Sequence, residues 1–465
     1  MISPAAGQAT YRQAATGVVM TEDASFRRRF TQSPEIAARF PDLHPPLDRQ
    51  AALIESNRCL YCFDAPCTAA CPTHIDVPGF IKKIASGNLS GSARTILDAN
   101  ILGASCSRAC PVAVLCEGAC VMHRYNKQPI EIARLQRFAM DSFHESGAPL
   151  PFTPAADTGL SVALVGAGPA SLACAAELRR RGVRAILFEA GQLPGGLNTY
   201  GIAEYKLPLA ESLREIDLLS QLGVEFRFTA RIDAAKLAEL ERTHDAVFLG
   251  VGLGAIHQLG IVGEQLHGVT NALDFIAGYK SGTILSVPQR VAVIGAGNTA
   301  IDAANAAVRL GATEVHIVYR RGPEKMSAFD FEYKHAREEG VKFLWHTQPI
   351  GIESTDRVEA LKLQRLTITE DDLPMPQAGS EFSLPVDLII LAIGQSTHAM
   401  FLSDRIMLEH GRIFIDRITG QTSNPKFFAG GDCTNGGREV VDAVADGKRA
   451  GIGIAAWLEA QLANA

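Results

Sequence analysis

The chain reads as an α/β protein: a helical, cysteine-rich segment followed by two Rossmann-like nucleotide-binding units, the second inserted in the first. Three observations predict this. Eight of the ten cysteines fall between Cys59 and Cys120, in a stretch whose apolar residues recur at helix spacing and which has no strand pattern. A strand, glycine turn, helix and strand follow at SVALVGAGPASLACAAELRRRGVRAILFEAG, and the pattern returns 129 residues later (Gly166 to Gly295) at RVAVIGAGNTAIDAANAAVRLGATEVHIVYRRG. The tail KFFAGGDCTNGGREVVDAVADGKRAGIGIAAWLEAQL offers one strand, a Gly-Gly-Asp turn and a closing helix, too little for a separate domain and enough to complete the first unit.

Along the chain, residues 1–155 form the helical domain, where PGFIKKIASGNLSGSARTIL repeats apolar residues at helix spacing. GAPLPFTPAADTG (147–159) is a proline-rich linker. Residues 156–287 begin the first nucleotide unit, 288–400 form the second, and 401–465 complete the first. DAVFLGVGLG (245–254) and DLIILAIGQ (387–395) are apolar strands ending in glycine, one returning to each unit.

A length of 465 residues exceeds what one core sustains, and 47% hydrophobic with 20% charged residues excludes a disordered or fibrous chain. A net charge of −6 speaks against nucleic-acid binding, so Arg27, Arg28 and Arg29 read as a solvated helix face. MISPAAGQATYRQAATG lacks the basic and apolar regions of a secretory signal, and no charge-free apolar run reaches membrane-spanning length. A soluble, cytoplasmic protein that binds no membrane is expected.

In a reducing compartment such a cysteine cluster signals metal or redox chemistry rather than a disulfide framework. The spacing is C-x2-C-x4-C-x3-C-P from Cys59 to Pro72, then C-x3-C-P at Cys106 and Cys110, then C-x3-C at Cys116 and Cys120. Eight thiols suffice for two four-thiol sites. Zinc ribbons pair C-x2-C knuckles farther apart, whereas three close cysteines plus a fourth ahead of proline is the ferredoxin manner of wrapping [4Fe–4S] clusters, the fourth commonly serving the other cluster. Iron–sulfur is preferred to a structural zinc scaffold, the more so beside a flavin, which splits hydride pairs into the single electrons that clusters conduct.

In the first nucleotide unit Gly166, Gly168 and Ser171 occupy the fingerprint positions, and Glu189 ends the next strand 23 residues after Gly166, where a carboxylate takes ribose hydroxyls. That suits an unphosphorylated adenosine such as FAD. The second unit has Gly295, Gly297 and Ala300, but its strand ends in Arg320 and Arg321, a pair suited to a ribose 2′-phosphate, so the site leans toward NADP(H). Hydride exchange between nicotinamide and flavin needs stacked rings more than acid–base groups, so no catalytic acid, base or nucleophile is assigned. Cys174 and Cys433 read as packing. A thioredoxin-reductase-like enzyme would need C-x-x-C near the second unit, where none occurs.

The stretches CLYCFDAPCTAACPTHIDVPGFI, CSRACPVAVLCEGAC, IEIARLQRFAMD, VALVGAGPASLACAAEL, FEAGQLPGGLNTYGIAEYKLP, VIGAGNTAIDAA, VYRRG and FAGGDCTNGGREVVDAVADGKRAG resemble the amino-terminal half of dihydropyrimidine dehydrogenase. They are equally similar to the separate NAD(P)H-oxidising subunit of its two-subunit bacterial form. The wider group includes the small subunit of glutamate synthase and the large subunit of a ferredoxin-reducing transhydrogenase. The resemblance implies one [4Fe–4S] cluster on Cys59, Cys62, Cys67 and Cys120. It implies a second on Cys71, Cys110, Cys116 and Gln136, leaving Cys106 without iron. Taken alone, Gln136 reads as an exposed helix amide; within the group, glutamine there goes with dihydropyrimidine dehydrogenases and glutamate with glutamate synthase small subunits.

The same resemblance implies an FAD site on Gly166, Gly168, Glu189, Gly195, Gly196, Leu197, Lys206 and Gly252, with Asp432 near the ribityl chain and Val440 and Val441 beside the isoalloxazine. The dinucleotide site would take Gly295, Gly297, Asn298, Thr299, Arg320, Arg321, Gly394 and Lys325, and the group is divided between NADH and NADPH users. Full-length dihydropyrimidine dehydrogenases continue into an FMN barrel and a ferredoxin domain, so an FMN- and cluster-bearing partner subunit in a hetero-oligomer is expected to hold the pyrimidine site. The alternative is a glutamate synthase small subunit feeding a glutamine-dependent large chain.

Overall fold

The computed structural model describes residue 26 and residues 34–463, except 355, 372, 398–401, 403 and 404. The arginine run at 27–29 and the amino-terminal segment judged for a secretory signal lie outside the described residues.

Between residues 34 and 155 the described chain is helix and turn. The apolar run beginning at Pro78 forms two helices, Val77–Ala85 and Leu89–Ala99. The break falls at Gly87, whose φ of 76° suits glycine. Asp76 caps the first helix by accepting from Gly79 N at 3.0 Å, and Asn88 caps the second by accepting from Gly91 N at 2.9 Å. Their inner faces bury Phe80, Ile81, Ile84, Ile96 and Leu97 against the helix Ile132–Ser146. Each such side chain contributes about 1.5–3 kcal/mol.

The first nucleotide unit is a five-stranded parallel sheet. Its strands are β1 (Ser161–Val165), β2 (Arg184–Phe188), β3 (Glu225–Arg227), β4 (Ala246–Leu249) and, after a long excursion, Phe427–Ala429. The helix Pro169–Arg180 begins with proline at its first position, where no amide hydrogen is needed. The closing helix Val440–Ala463 crosses it so tightly that a Cβ on Gly447 would stand 1.9 Å from Ala170 O.

The excursion builds the second unit. A short β5 (Ala255–Ile256) leads to β6 (Val269–Asn271), then β7 (Arg290–Ile294), β8 (Glu314–Val318) and β9 (Lys342–Leu344). An antiparallel trio follows, β10 (Thr347–Ser354), β11 (Val358–Ile368) and β12 (Pro374–Pro385), and then β13 (Leu388–Leu391) and β14 (Gln395–Ser396). Two small strands, β15 (Leu408–Glu409) and β16 (Arg412–Ile413), precede the return strand β17 (Phe427–Ala429). The sheet orders are β17-β4-β1-β2-β3 and β6-β13-β7-β8-β9. In each, strand order reverses beside the first fingerprint strand, the point where α/β sheets open a cleft. The second sheet recruits β6 from ahead of residue 288, and β14 pairs antiparallel with β5 at the crossing between units.

The helical segment and the first unit share one continuous apolar core. Arg108 spans Asp141 at 2.7 Å and Glu211 at 3.3 Å, and Lys448 donates to Asp98 O at 3.0 Å and Ala99 O at 3.2 Å. These partners fix how the cysteines face the sheet. Among the described residues no helix is long and apolar enough to cross a membrane.

Candidate functional site

The largest cleft, about 940 Å³, opens at the carboxyl ends of β1 and β4. Gly166 (φ 90°) turns the chain there, and a Cβ on it would meet Gly250 O at 2.6 Å. Gly196 packs so close that its Cβ would meet Gly168 Cα at 2.9 Å. Gly166, Gly168, Glu189, Gly196, Leu197, Lys206, Gly252, Asp432 and Val440 all line this cleft. Ser171 and Gly195 do not. Ser171 is buried beneath the turn against Gly250, and Gly195 is a backbone hinge donating to Ala167 O at 2.8 Å.

Glu189 has a second task that the sequence did not indicate. Its carboxylate accepts from Ala167 N at 2.9 Å and Gly191 N at 2.6 Å, so it fastens the glycine turn while its remaining lone pairs face the cleft. Asp432 also lines the cleft, its pKa raised by burial. The amino end of the helix Val440–Ala463 reaches the cleft wall, where free amides favour electron-rich groups.

A second cleft of about 640 Å³ opens beyond β7 and β13. Gly295, Gly297, Thr299, Arg320 and Gly394 line it. Gly295 has φ 121°, and a Cβ there would meet Ala392 O at 2.2 Å. Arg321 and Lys325 are not on its wall, so one arginine of the pair faces the site. Asn298 faces the first cleft instead, accepting from Phe329 N at 3.3 Å. The two clefts adjoin, sharing Leu273, Thr299 and Gln395. Leu273 and Gln395 escaped the sequence reading because they lie outside the fingerprint turns.

Lys206 closes the junction between units. Its ammonium lies 2.7 Å from Asp302 and 2.6 Å from Glu332, and Tyr205 Oη donates to Asp302 at 2.8 Å. Burial works against the charge of Lys206, but the two carboxylates outweigh it and raise its pKa. Burial lifts Glu332 to about 7. The lysine assigned to the flavin thus also ties the second unit to the first.

The thiols divide as two groups. Cys59, Cys62, Cys67 and Cys120 line one small cavity; Cys71, Cys106, Cys110 and Cys116 line another together with Gln136 and Val441. Among the described residues no three Cys, His, Asp or Glu side chains gather tightly enough for one metal ion. The thiols instead line the walls of two small cavities. Burial raises the pKa of Cys59, Cys67 (to about 11) and Cys116, so these thiols ionise readily only with a cation among them. That donor chemistry fits iron–sulfur. The loop holds left-handed backbone at Tyr61, Ala65 and His74, strain that a surrounding framework must sustain.

Gln136 is 7% exposed, contrary to the exposed amide that its sequence position suggests. Its amide nitrogen donates to Gly103 O at 2.7 Å, an orientation that leaves its oxygen for the cavity. Cys106, left without iron by the resemblance, lines the same cavity, giving it five candidate donors. The cavity abuts the first cleft: Ala109 and Pro111 line that cleft on either side of Cys110, and Val440 lines it next to Val441.

Two family models match the chain. One, described as dihydropyrimidine dehydrogenase domain II, 4Fe-4S cluster, covers residues 36–148; the other, pyridine nucleotide-disulphide oxidoreductase, covers residues 160–447. The glutamate synthase [NADPH] small chain of Escherichia coli is 36% identical over 90% of this chain and 94% of its own length. The NAD-dependent dihydropyrimidine dehydrogenase subunit PreT of Escherichia coli is 33% identical over 90% of this chain and 97% of its own. Among solved structures, FprA of Mycobacterium tuberculosis in complex with NADPH aligns over 66% of this chain and 86% of its own with TM-score 0.53 and 20% identity. Thioredoxin reductase of Lactococcus lactis aligns over 65% of this chain and 99% of its own with TM-score 0.53 and 21% identity. These two share the fold.

Proposed function

The chain belongs to the pyridine nucleotide-disulphide oxidoreductase family, as an NAD(P)H-dependent oxidoreductase with FAD and [4Fe–4S] clusters, and we propose that it is the electron-delivering subunit of a dihydropyrimidine dehydrogenase. In this reading it takes hydride from NAD(P)H and passes electrons singly to the FMN of a partner subunit, where uracil or thymine is reduced to the 5,6-dihydro form.

The observation that carries the reading is Gln136, buried on the wall of the cavity formed by Cys71, Cys110 and Cys116 with its amide oriented by Gly103. Glutamate at this position would bring a carboxylate; glutamine brings a neutral oxygen. The flavin, when bound, supplies the exchange between a two-electron hydride and single electrons. The residues of the chain order the rest. Gly295, Thr299 and Arg320 would hold the dinucleotide so that its nicotinamide reaches the shared wall of Leu273, Thr299 and Gln395. Gly166, Gly168 and Gly196 would admit the pyrophosphate of FAD, and Glu189 would accept from its adenosine ribose. Because Ala109 and Pro111 line the first cleft on either side of Cys110, the Cys71/Cys110/Cys116 cavity would lie nearest the flavin and the Cys59 cavity farther out.

The second reading, a glutamate synthase small subunit, is favoured by the 36% identity to that chain. The test is co-purification from the native host followed by two assays. NAD(P)H oxidation driven by uracil, with dihydrouracil formed, is the expected result. Oxidation driven by glutamine with 2-oxoglutarate, and none by uracil, would refute the dihydropyrimidine dehydrogenase reading and establish the second.

A further inference from the structure

A lysine buried at the junction of the two nucleotide units lines neither cleft. Lys280 ends the helix Ala272–Lys280, and its side chain is 0% exposed. Its ammonium donates to Ile202 O at 2.7 Å, Leu207 O at 2.9 Å and Asn198 O at 3.4 Å, and Glu204 lies 3.6 Å away. Three carbonyls engage all three hydrogens of an ammonium, where a neutral amine would satisfy two. Burial lowers its pKa, and Glu204 is the strongest pull the other way. A buried charge persists only where partners of this kind offset its lost hydration.

Every one of these partners belongs to a single stretch of the first unit, 198–207, and Asn198, Ile202 and Lys206 of that stretch line the first cleft. Between the short helix Leu197–Tyr200 and the helix Leu209–Gln221 the stretch is turn and bend, so its shape depends on side chains rather than on a backbone ladder. Its middle is buried in the other unit, since Ala203 and Tyr205 belong to the apolar core of the second. Glu204 in turn accepts from Leu209 N at 3.1 and 3.0 Å, which fixes where the next helix begins. The helix that ends at Lys280 starts where the clefts meet, and its Leu273 lines both. One side chain thus ties the wall of the first cleft to the helix that bears the shared wall.

We propose that Lys280 is a positioning residue for hydride transfer: by gathering the carbonyls of 198–207 it holds Lys206 and the first-cleft wall in register with Leu273, so that a nicotinamide in the second cleft meets a flavin in the first at reacting distance. This rests on FAD taking the first cleft and NAD(P)H the second, and not on which partner receives the electrons. The transfer breaks a C–H bond of the dinucleotide and forms an N–H bond on the flavin, so NAD(P)H and FAD become NAD(P)⁺ and FADH⁻. A displacement of about 1 Å costs such a step about a hundredfold.

The test is anaerobic stopped-flow reduction of the flavin in the holoprotein, by whichever of NADPH and NADH reduces wild type faster, with hydrogen exchange of amides 198–207 read by mass spectrometry. Lys280→Met keeps the bulk and removes the charge. The pair Lys280→Met with Glu204→Gln keeps the buried site neutral should the single variant misfold. Leu361→Ala is the control, because it empties a fully buried position of β11 that lines neither cleft. In the Lys280 variants the limiting rate should fall about tenfold or more and the nicotinamide–flavin charge-transfer band should weaken. The dissociation constant of the nucleotide should stay within about threefold, FAD content and reduction by dithionite should match wild type, and amides 198–207 should exchange faster. The control should lower the thermal midpoint and leave the limiting rate and the band as in wild type. A limiting rate within about threefold of wild type, an equal loss in Leu361→Ala, or weaker nucleotide binding at an unchanged limiting rate would overturn the proposal. So would loss of FAD or of soluble protein from both Lys280 variants, which would make the lysine a structural prop alone. Wild type whose flavin is bleached by neither nucleotide would instead refute the assignment of the two clefts, and the positioning role with it.

Discussion

Glu215→Gln probes the joint that aims the inner thiol cavity at the flavin cleft. Glu215 is fully buried on the helix Leu209–Gln221, and its two oxygens accept from Ala104 N at 2.6 Å and Ser105 N at 2.9 Å. Those amides begin the helix Gly103–Ala109, which ends at Cys110. Glutamine keeps one acceptor and turns an NH₂ group toward the other donor. A hydrogen bond to a charged group is worth about 1.5–3 kcal/mol and an orphaned buried N–H costs about 1–3, so local opening should become easier by roughly 2–4 kcal/mol. At about 1.4 kcal/mol per decade, amides 103–110 should exchange hydrogen ~30- to ~1000-fold faster, read by mass spectrometry without global unfolding.

The pH dependence has a definite sign. Burial pushes Glu215 up to about 7, against the pull of its backbone donors and Arg108. The folded chain therefore retains a proton that the unfolded chain loses above its ordinary carboxylate pKa. The stabilisation is complete below that ordinary value and disappears as pH rises through about 7. Protection of 103–110, corrected for intrinsic exchange, should fall across this window in wild type and stay flat in Glu215→Gln. Exchange within twofold of wild type, or a pH dependence that survives the substitution, would refute the reasoning.

Gly447→Ala should force apart the helices Pro169–Arg180 and Val440–Ala463, because the new Cβ would stand 1.9 Å from the Ala170 carbonyl oxygen. The cost is roughly 1–3 kcal/mol, measured as a lower midpoint of thermal FAD release by flavin fluorescence. Arg320→Ala removes the arginine that lines the second cleft. KM for NADPH should rise about 10- to 100-fold while KM for NADH changes little, measured by steady-state ferricyanide reduction. Cys110→Ala should cut iron from about eight to about four atoms per chain and remove one set of EPR signals, whereas Cys106→Ala should keep both. Equal iron loss in the two would make Cys106 a ligand in place of Gln136.

Much of the fold was legible because parallel strands buried on both faces are continuous apolar runs, as in SVALV and RVAVI, and because the turns after them demand glycine. The insertion was legible from one short strand, Phe427–Ala429, stranded beyond the second unit. What escaped has physical reasons. The strand Val269–Asn271 is three residues long and only partly buried, so it has no period to read, and the second sheet therefore begins ahead of residue 288. The antiparallel trio contains Pro374, Pro376 and Pro385 in a largely exposed edge strand, composition that reads as loop. Gln136 read as a surface amide because helical periodicity does not reveal a wall opposite, supplied here by Gly103 from another helix. The exclusion of Arg321 and Lys325 from the cleft wall was equally hidden, since adjacent residues after a strand point opposite ways.

The arrangement of thiols answers why two cysteine runs are interleaved rather than assigned one to each cavity. Cys67 and Cys71 are four residues apart and line different cavities, as do Cys116 and Cys120. Each pair spans the two sites through a few backbone bonds, so neither cavity can shift without moving the other. The inner cavity is in turn held to the flavin cleft by chain continuity at Ala109, Cys110 and Pro111, and again at Val440 and Val441. Distance between successive centres is thus set by covalent geometry instead of by packing that could relax. A substitution at Glu215 should loosen the orientation of the inner cavity to the flavin far more than the spacing between the cavities. Flavin-to-cluster transfer, followed by stopped-flow reduction with NAD(P)H, should therefore slow in Glu215→Gln, while the magnetic coupling between reduced clusters seen by EPR should persist. Loss of that coupling would mean that the cavities are held apart by the same joint, contrary to the interleaved chain.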